Sequence, residues 1–179
     1  MGERFEYAVH TAQAVDARGW NFDPGDISWP DRIGSAHMVH EPTHIVDIAA
    51  TIYDVTDAGY PAELNGSAIP PLEGHSFRRA IENEVWVRPA PIFWEHEGNR
   101  AVRLGDWKLV SEGNNRWELY NMKSDRTELN DLSDARKDIL NRMVGLYEDW
   151  ALRVGALPWP VVSEVTASPR VGTNHIHDV

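Results

Sequence analysis

The sequence predicts an α+β chain: a small four-stranded antiparallel sheet packed on a long C-terminal helix, preceded by helical and loop-rich segments. Three observations lead there. From Pro91 the apolar period changes from 3.6 residues to 2. Short alternating runs are then separated by Gly, Asn and Asp turn signals. A helical stripe follows, and a sheet with one apolar face needs such cover. The chain has 179 residues, 42% apolar and 25% charged, which suits one packed domain or a domain with a satellite.

In chain order, Met1 to Gly19 reads as a short amphipathic helix through Phe5, Ala8, Val9, Ala12 and Val15, and Asn21 to Pro30 as loop. Pro42 to Asp57 is helical, with Ile45, Ile48, Ala49, Ile52, Tyr53 and Val55 on one stripe. Pro42 or Thr43 would open it, Asp47 favours its positive end, and Gly59 would close it. Tyr60 to Gly74 is a long loop, and Ser76 caps a short helix over Phe77 to Ile81. The strands are Ile92 to Glu97, Arg100 to Leu104, Trp107 to Val110 and Trp117 to Tyr120. Their turns are Gly98–Asn99, Gly105–Asp106 and Gly113–Asn115. Trp107 and Leu109 share a face, as do Trp117 and Leu119. Ser133 caps a helix from Asp134 to Arg153, whose stripe runs through Leu140, Met143, Val144, Tyr147, Trp150, Ala151 and Val154 and which ends at Gly155. Val161 to Val179 has no periodicity and reads as a tail.

The formal net charge of 17 − 28 = −11 argues against nucleic acid or an anionic membrane as partner, because both need clustered Lys and Arg. No apolar run approaches the ~18 residues of a spanning helix. Met1 to Ala17 lacks the basic-then-apolar order of a signal peptide. Without cysteine, disulfides, thiolate metal sites, a thiol nucleophile and iron–sulfur clusters are excluded within the chain. The eight tryptophans suit bulky cover for a thin sheet, and Trp94, Trp107 and Trp117 read as such cover.

His40–Glu41–Pro42–Thr43–His44 matches H-E-x-x-H, but that zinc pattern needs both histidines inside one helix. Pro42 between them costs a helix interior about 3 kcal/mol, so it belongs near a helix start with His40 outside. A third ligand such as Glu63 is conceivable, but nothing points to it. Glu95–His96–Glu97 near a strand end reads as a solvated face or as a ligand-contacting imidazole. Asn99, Arg100 and Arg103 beside it suit an anion- or sugar-contacting loop. His175 and His177 could hold a metal adventitiously, and a tail is the better reading. The phosphate-loop, dinucleotide and serine-elbow patterns are absent, so the residues alone complete no catalytic constellation.

Over about two-thirds of the chain, the order of pieces is specific. It runs from Pro42–Thr43–His44–Ile45–Val46–Asp47–Ile48–Ala49–Ala50–Thr51 through Tyr60–Pro61, Asn65–Gly66 and Leu72–Glu73–Gly74–His75–Ser76. Trp94–Glu95–His96–Glu97–Gly98–Asn99–Arg100–Ala101–Val102–Arg103, Gly105–Asp106–Trp107–Lys108–Leu109–Val110 and Trp117–Glu118–Leu119–Tyr120 follow. Asp125–Arg126–Thr127–Glu128–Leu129–Asn130–Asp131–Leu132 and Leu157–Pro158–Trp159–Pro160 complete it. This order resembles the C-terminal part of a type I sulfatase of the arylsulfatase kind, in the alkaline-phosphatase superfamily.

The resemblance implies the tail end of a sulfatase α/β domain over 34–89 and a sheet-plus-helix subdomain over 90–160. Residues 1–33 stay unassigned and 161–179 form a tail. It implies an intact parent hydrolysing sulfate monoesters with a formylglycine nucleophile from a C/S-x-P-x-R motif and a calcium ion held by Asp and Asn. This chain departs from that pattern. It has no cysteine, Ser168–Pro169–Arg170 has the wrong spacing, and Asp16–Ala17–Arg18–Gly19–Trp20 stands where a His-Glu-Gly-Gly segment is expected before Trp29–Pro30. The implication is a C-terminal fragment or truncated homologue that carries no catalytic residue, no calcium ligands and no metal. Its partner would be the missing N-terminal sulfatase domain, with self-association through exposed flanks when alone. His96, Asn99 and Arg100 would approach a sulfate ester's leaving-group side, binding and orienting it. The alternative is a standalone module that binds sulfated sugars or acidic ligands through the same residues.

Overall fold

Helix α1 (Ile45–Val55) forms where the period is 3.6, but it begins later than Pro42 or Thr43. The computed structural model describes residues 6–8, 26–113 and 115–159. His44 is the N-cap: its Nδ1 accepts the Val46 N–H at 3.4 Å, and Asp47 Oδ2 accepts the His44 N–H at 2.7 Å. This is a capping box with histidine in the place of the usual serine. At the other end Asp57 adopts φ 53°, so it makes the left-handed exit that the sequence suggested for Gly59.

The chain divides into two compact units, Met1–Ile92 and Phe93–Val179. In the first, β1 (Glu6–Ala8) pairs antiparallel with β2 (Asp26–Ser28), Tyr7 opposite Ile27. A helix was expected over 1–19 and a loop over 21–30. At Glu6–Ala8 and Asp26–Ser28 strand pairing stands in place of that helix and that loop, because a helical stripe that short has little stability of its own. The rest of 1–19 lies outside the described residues. The expected loop 60–74 contains a tight hairpin of β3 (Glu63–Leu64) and β4 (Ser67–Ala68), whose turn residues Asn65 and Gly66 both have positive φ. Helix α2 (Arg78–Ile81) starts one residue later than expected, with Ser76 Oγ accepting the Arg78 N–H at 3.2 Å. Trp29, Phe77, Ala80 and Ile81 form the core of this unit, flanked by Ile27, Ile33, Val55 and Trp86.

The second unit holds the four-stranded antiparallel meander that the alternation predicts, in the order β5 (Ile92–His96), β6 (Asn99–Leu104), β7 (Trp107–Ser111) and β8 (Glu118–Asn121). Val102 lies opposite Leu109, and Leu109 opposite Leu119. The first turn is Glu97–Gly98, one residue earlier than expected, with φ 50° and 85°. Helix α3 (Lys137–Val154) covers one face. Its 18 residues span about 27 Å. Ser133 does not cap it. The Ser133 N–H and Oγ both donate to Asp131, and a separate turn carries the chain to the N-cap Arg136. Gly155 closes it in the left-handed conformation, φ 72°.

Val102, Leu109, Leu119, Met143 and Tyr147 form the buried centre between sheet and helix. Phe93 stacks on Trp150 at 5.1 Å, and Trp117 meets Tyr147 edge-on at 5.2 Å. Ile139 joins this packing, whereas Val154, expected on the stripe, remains exposed. Trp107 and Trp117 pack on this core as expected, but strand alternation turns Trp94 to the face opposite Phe93. That face is also buried, at Ala101, Lys108, Val110 and Tyr120. Lys108 Nζ, fully enclosed, donates to Glu128 Oε1 at 2.7 Å. Such a pair fixes the 122–132 segment on the sheet, since removing either charge would strand the other.

Candidate functional site

The residues expected to touch a ligand sit on the β5–β6 hairpin, and the sheet sorts them by face. Alternation sends Phe93, Glu95, Arg100 and Val102 toward α3 and sends Trp94, His96, Asn99 and Ala101 the other way. The structure therefore brings His96 and Asn99 to one face and separates both from Arg100. His96 is exposed. Asn99 Oδ1 accepts the Gly113 N–H at 3.0 Å, which ties this hairpin to the turn after β7.

Arg100 is held from several sides. Its Nη2 donates to Ser111 Oγ at 2.8 Å. Its guanidinium carbon lies 4.5 Å from the Trp117 ring centroid and 5.8 Å from that of Tyr147. Its Nε is buried without a hydrogen-bond partner. A planar cation fixed on two rings serves as a rigid wall.

That wall closes a cavity of about 120 Å3, whose lining also includes Glu95, Tyr147, Ala151, Leu157 and Trp159. Glu95 Oε1 accepts the Gly98 N–H at 3.0 Å. Gly98 is required twice over. Its φ of 85° is left-handed, and an added Cβ would lie 2.7 Å from the Trp159 ring. The extended Pro158–Trp159 segment thus seats on the hairpin turn. Burial pushes the Tyr147 phenol up to about 12; Arg100 lowers it and Glu95 raises it by smaller amounts.

In the first unit the structure builds a polar clasp that sequence reasoning missed. Asp47 is fully buried. Its Oδ2 accepts the His44 N–H and pairs with Arg88 Nη1, and its Oδ1 accepts the His75 N–H at 2.8 Å. Thr51 Oγ1 donates to the Asp47 carbonyl and accepts the Phe77 N–H at 3.2 Å. Glu41 accepts the Arg88 N–H at 2.9 Å. A side chain at Gly74 would strike the Val46 carbonyl, so this crossing needs glycine. The available signal was the polar set Asp47, Thr51 and Asp54 on the side of α1 away from Ile45 and Ile52.

His44 has its imidazole engaged in the cap, and His40 lies outside the helix, so the H-E-x-x-H match does not form a zinc helix. Burial lowers the His44 pKa; Asp47 opposes this and Arg88 adds to it. Among the described residues no group of three or more His, Asp or Glu stands close enough to hold a metal ion. No helix among the described residues is long and apolar enough to cross a membrane. His175 and His177 lie outside the described residues.

Comparison with known proteins gives a consistent picture. Residues 23–145 match the family described as N-sulphoglucosamine sulphohydrolase, C-terminal. An uncharacterized sulfatase of Schizosaccharomyces pombe is 26% identical over 147 residues, covering 76% of this chain and 26% of that protein. The crystal structure of Ps i-CgsB in complex with k-i-k-neocarrahexaose is similar with a TM-score of 0.56 at 24% identity, over 69% of this chain and 27% of that one. A second crystal structure of Ps i-CgsB gives 0.50 at 25% identity, over 62% and 24%. The chain spans about a quarter of the length of these relatives. With its family matched over most of its length and its sheet-plus-helix architecture in place, the chain belongs to the N-sulphoglucosamine sulphohydrolase C-terminal family, the C-terminal region of sulfatases.

Proposed function

We propose that this region serves a sulfuric-ester hydrolase by closing one side of its substrate cleft, while the nucleophile and calcium ligands lie in a larger sulfatase domain. One observation carries the reading: α1 is inverted. Its buried residues are Asp47, Ala50 and Thr51, while Ile45 and Ile52 are 62% and 49% exposed. An apolar stripe at i and i+7, continued by Ala49, is costly in water, and further protein against it would remove that cost. Val85 and Val87 are exposed in the same unit. The larger sulfatase domain is the partner that this surface suits.

Within the cleft, His96 and Asn99 would meet the ester's leaving group, since they share the face away from α3. Arg100 would act from behind, holding the hairpin rather than touching sulfate. The literal Ser-x-Pro-x-Arg match, Ser28–Trp29–Pro30–Asp31–Arg32, closes strand β2 and buries Trp29 in the core, which suits a packing role and supports placing the nucleophile in the larger domain. Purified chain should give no turnover of an aryl sulfate, with or without added calcium. Turnover above the protein-free rate would overturn the assignment of chemistry elsewhere. In a longer sulfatase carrying this region, His96→Ala should raise KM and leave kcat unchanged, as loss of uniform binding does. An unchanged KM would remove His96 from the cleft.

A further inference from the structure

The cavity behind the β5–β6 hairpin is distinct from the face that bears His96, and its chemistry is specific. It presents one carboxylate, Glu95, and one guanidinium, Arg100, with different partners: Glu95 takes the Gly98 N–H, and Arg100 donates to Ser111. Each keeps hydrogen-bonding capacity. Glu95 has a second carboxylate oxygen, and the Arg100 guanidinium, which lines the cavity, has terminal N–H donors beyond the one given to Ser111. The remaining walls are the Tyr147 and Trp159 rings and the apolar groups of Ala151 and Leu157.

We propose that this cavity, walled by Glu95, Arg100, Tyr147 and Trp159, binds an uncharged hydroxyl-bearing ligand such as the edge of a pyranose ring. A hydroxyl donates and accepts at once, so a single uncharged group can serve the carboxylate and the guanidinium together. An anion such as sulfate would face Glu95, and a cation would face Arg100; the opposed charges disfavour both. The rings give the apolar C–H face of a sugar a surface to lie on. Size agrees: about 120 Å3 is well below the roughly 300–1,000 Å3 of a pocket that encloses a drug-sized ligand, so it suits the edge of one ring and not a whole disaccharide. The inference does not depend on the sulfatase reading, because every wall belongs to the second unit and requires no reaction.

The test uses the full 179-residue chain, labelled with 15N, and three probes: methyl β-D-galactopyranoside, sodium sulfate and tetramethylammonium chloride. The glycoside should shift the Gly98, Ala151 and Ala156 amides with a millimolar Kd, as suits so few buried ligand atoms. Neither ion should move them. Ala151→Leu, which fills the cavity, should abolish the glycoside response. Glu95→Gln removes the repelling charge without changing shape, and sulfate should then shift the same amides. Silence toward the glycoside in the unmodified chain, or shifts by sulfate there, would overturn the proposal. A glycoside response that survives Ala151→Leu with the remaining spectrum native would do the same.

Discussion

Helices α1 and α3 carry the same kind of periodic sequence and use it in opposite ways. In α3 the stripe faces inward: Met143 is fully buried, and Tyr147 and Trp150 pack with Phe93 and Trp117. In α1 the buried residues are Asp47, Ala50 and Thr51, and the larger apolar side chains of Ile45 and Ile52 face out. Hydrophobic period identifies a helix. It does not say whether its apolar side is covered by the same unit. The second unit satisfies its helix with its own sheet, whereas the first holds its helix by hydrogen bonds and an ion pair beside the small apolar contacts of Ala50 and Val55.

The contrast is sharpest on substitution. Asp47→Ala leaves the Arg88 guanidinium, 6% exposed in its side chain, buried without its carboxylate, and it strands the His44 and His75 amides. A loss of about 3–5 kcal/mol is expected. It should appear as faster hydrogen exchange over Ile45–Val55, with β6 and β7 unchanged. Exchange unchanged over α1 would break the claim that a polar clasp holds it.

Met143→Ala tests the other helix, where the cost is a cavity in an apolar core. Chemical denaturation should show a loss of about 2–5 kcal/mol. Here β6, β7 and α3 should open faster and α1 should not. Equal effects on both helices from either variant would mean that the two regions do not differ as described.

A smaller effect is pH-dependent and belongs only to α3. Burial raises the Tyr147 pKa from an ordinary 10.0 to about 12. Between these values the unfolded chain has lost a proton that the folded chain retains, so stability falls as pH rises from 10.0 to about 12. The loss is up to about 3 kcal/mol, from 1.36 kcal/mol per pH unit. Tyr147→Phe should remove this alkaline slope in denaturation curves taken at successive pH values. A slope of the same size in the variant would assign it to other groups.

How much of this was legible in the sequence follows from the range of the interactions. The meander was readable because strand alternation and Gly-containing turns are local, and Leu109 and Leu119 took the face that their spacing implied. The opposition of His96 and Arg100 was also readable. Once the turn is two residues long, Glu95 and Arg100 share a face and His96 falls on the other. The turn falls one residue before Gly98–Asn99 because Glu97 takes a positive φ, which is uncommon for glutamate and carries no local sequence signal. The clasp was not readable, since Arg88 lies 41 residues beyond Asp47 and ordinary spacing rules do not link them. Pairing of Glu6–Ala8 with Asp26–Ser28 was hidden for the same reason. The cavity depends on Trp159 returning to Gly98, a contact between distant ends of the second unit.

The most direct test of the outward stripe of α1 is sedimentation velocity across a concentration series, on the native chain and on an Ile45→Glu/Ile52→Glu variant. The native chain should associate as concentration rises, because the uncovered stripe finds itself. The variant should stay monomeric with the same far-UV circular dichroism. A native chain that is monomeric throughout, or a variant that unfolds because those isoleucines belong to its own core, would contradict the account.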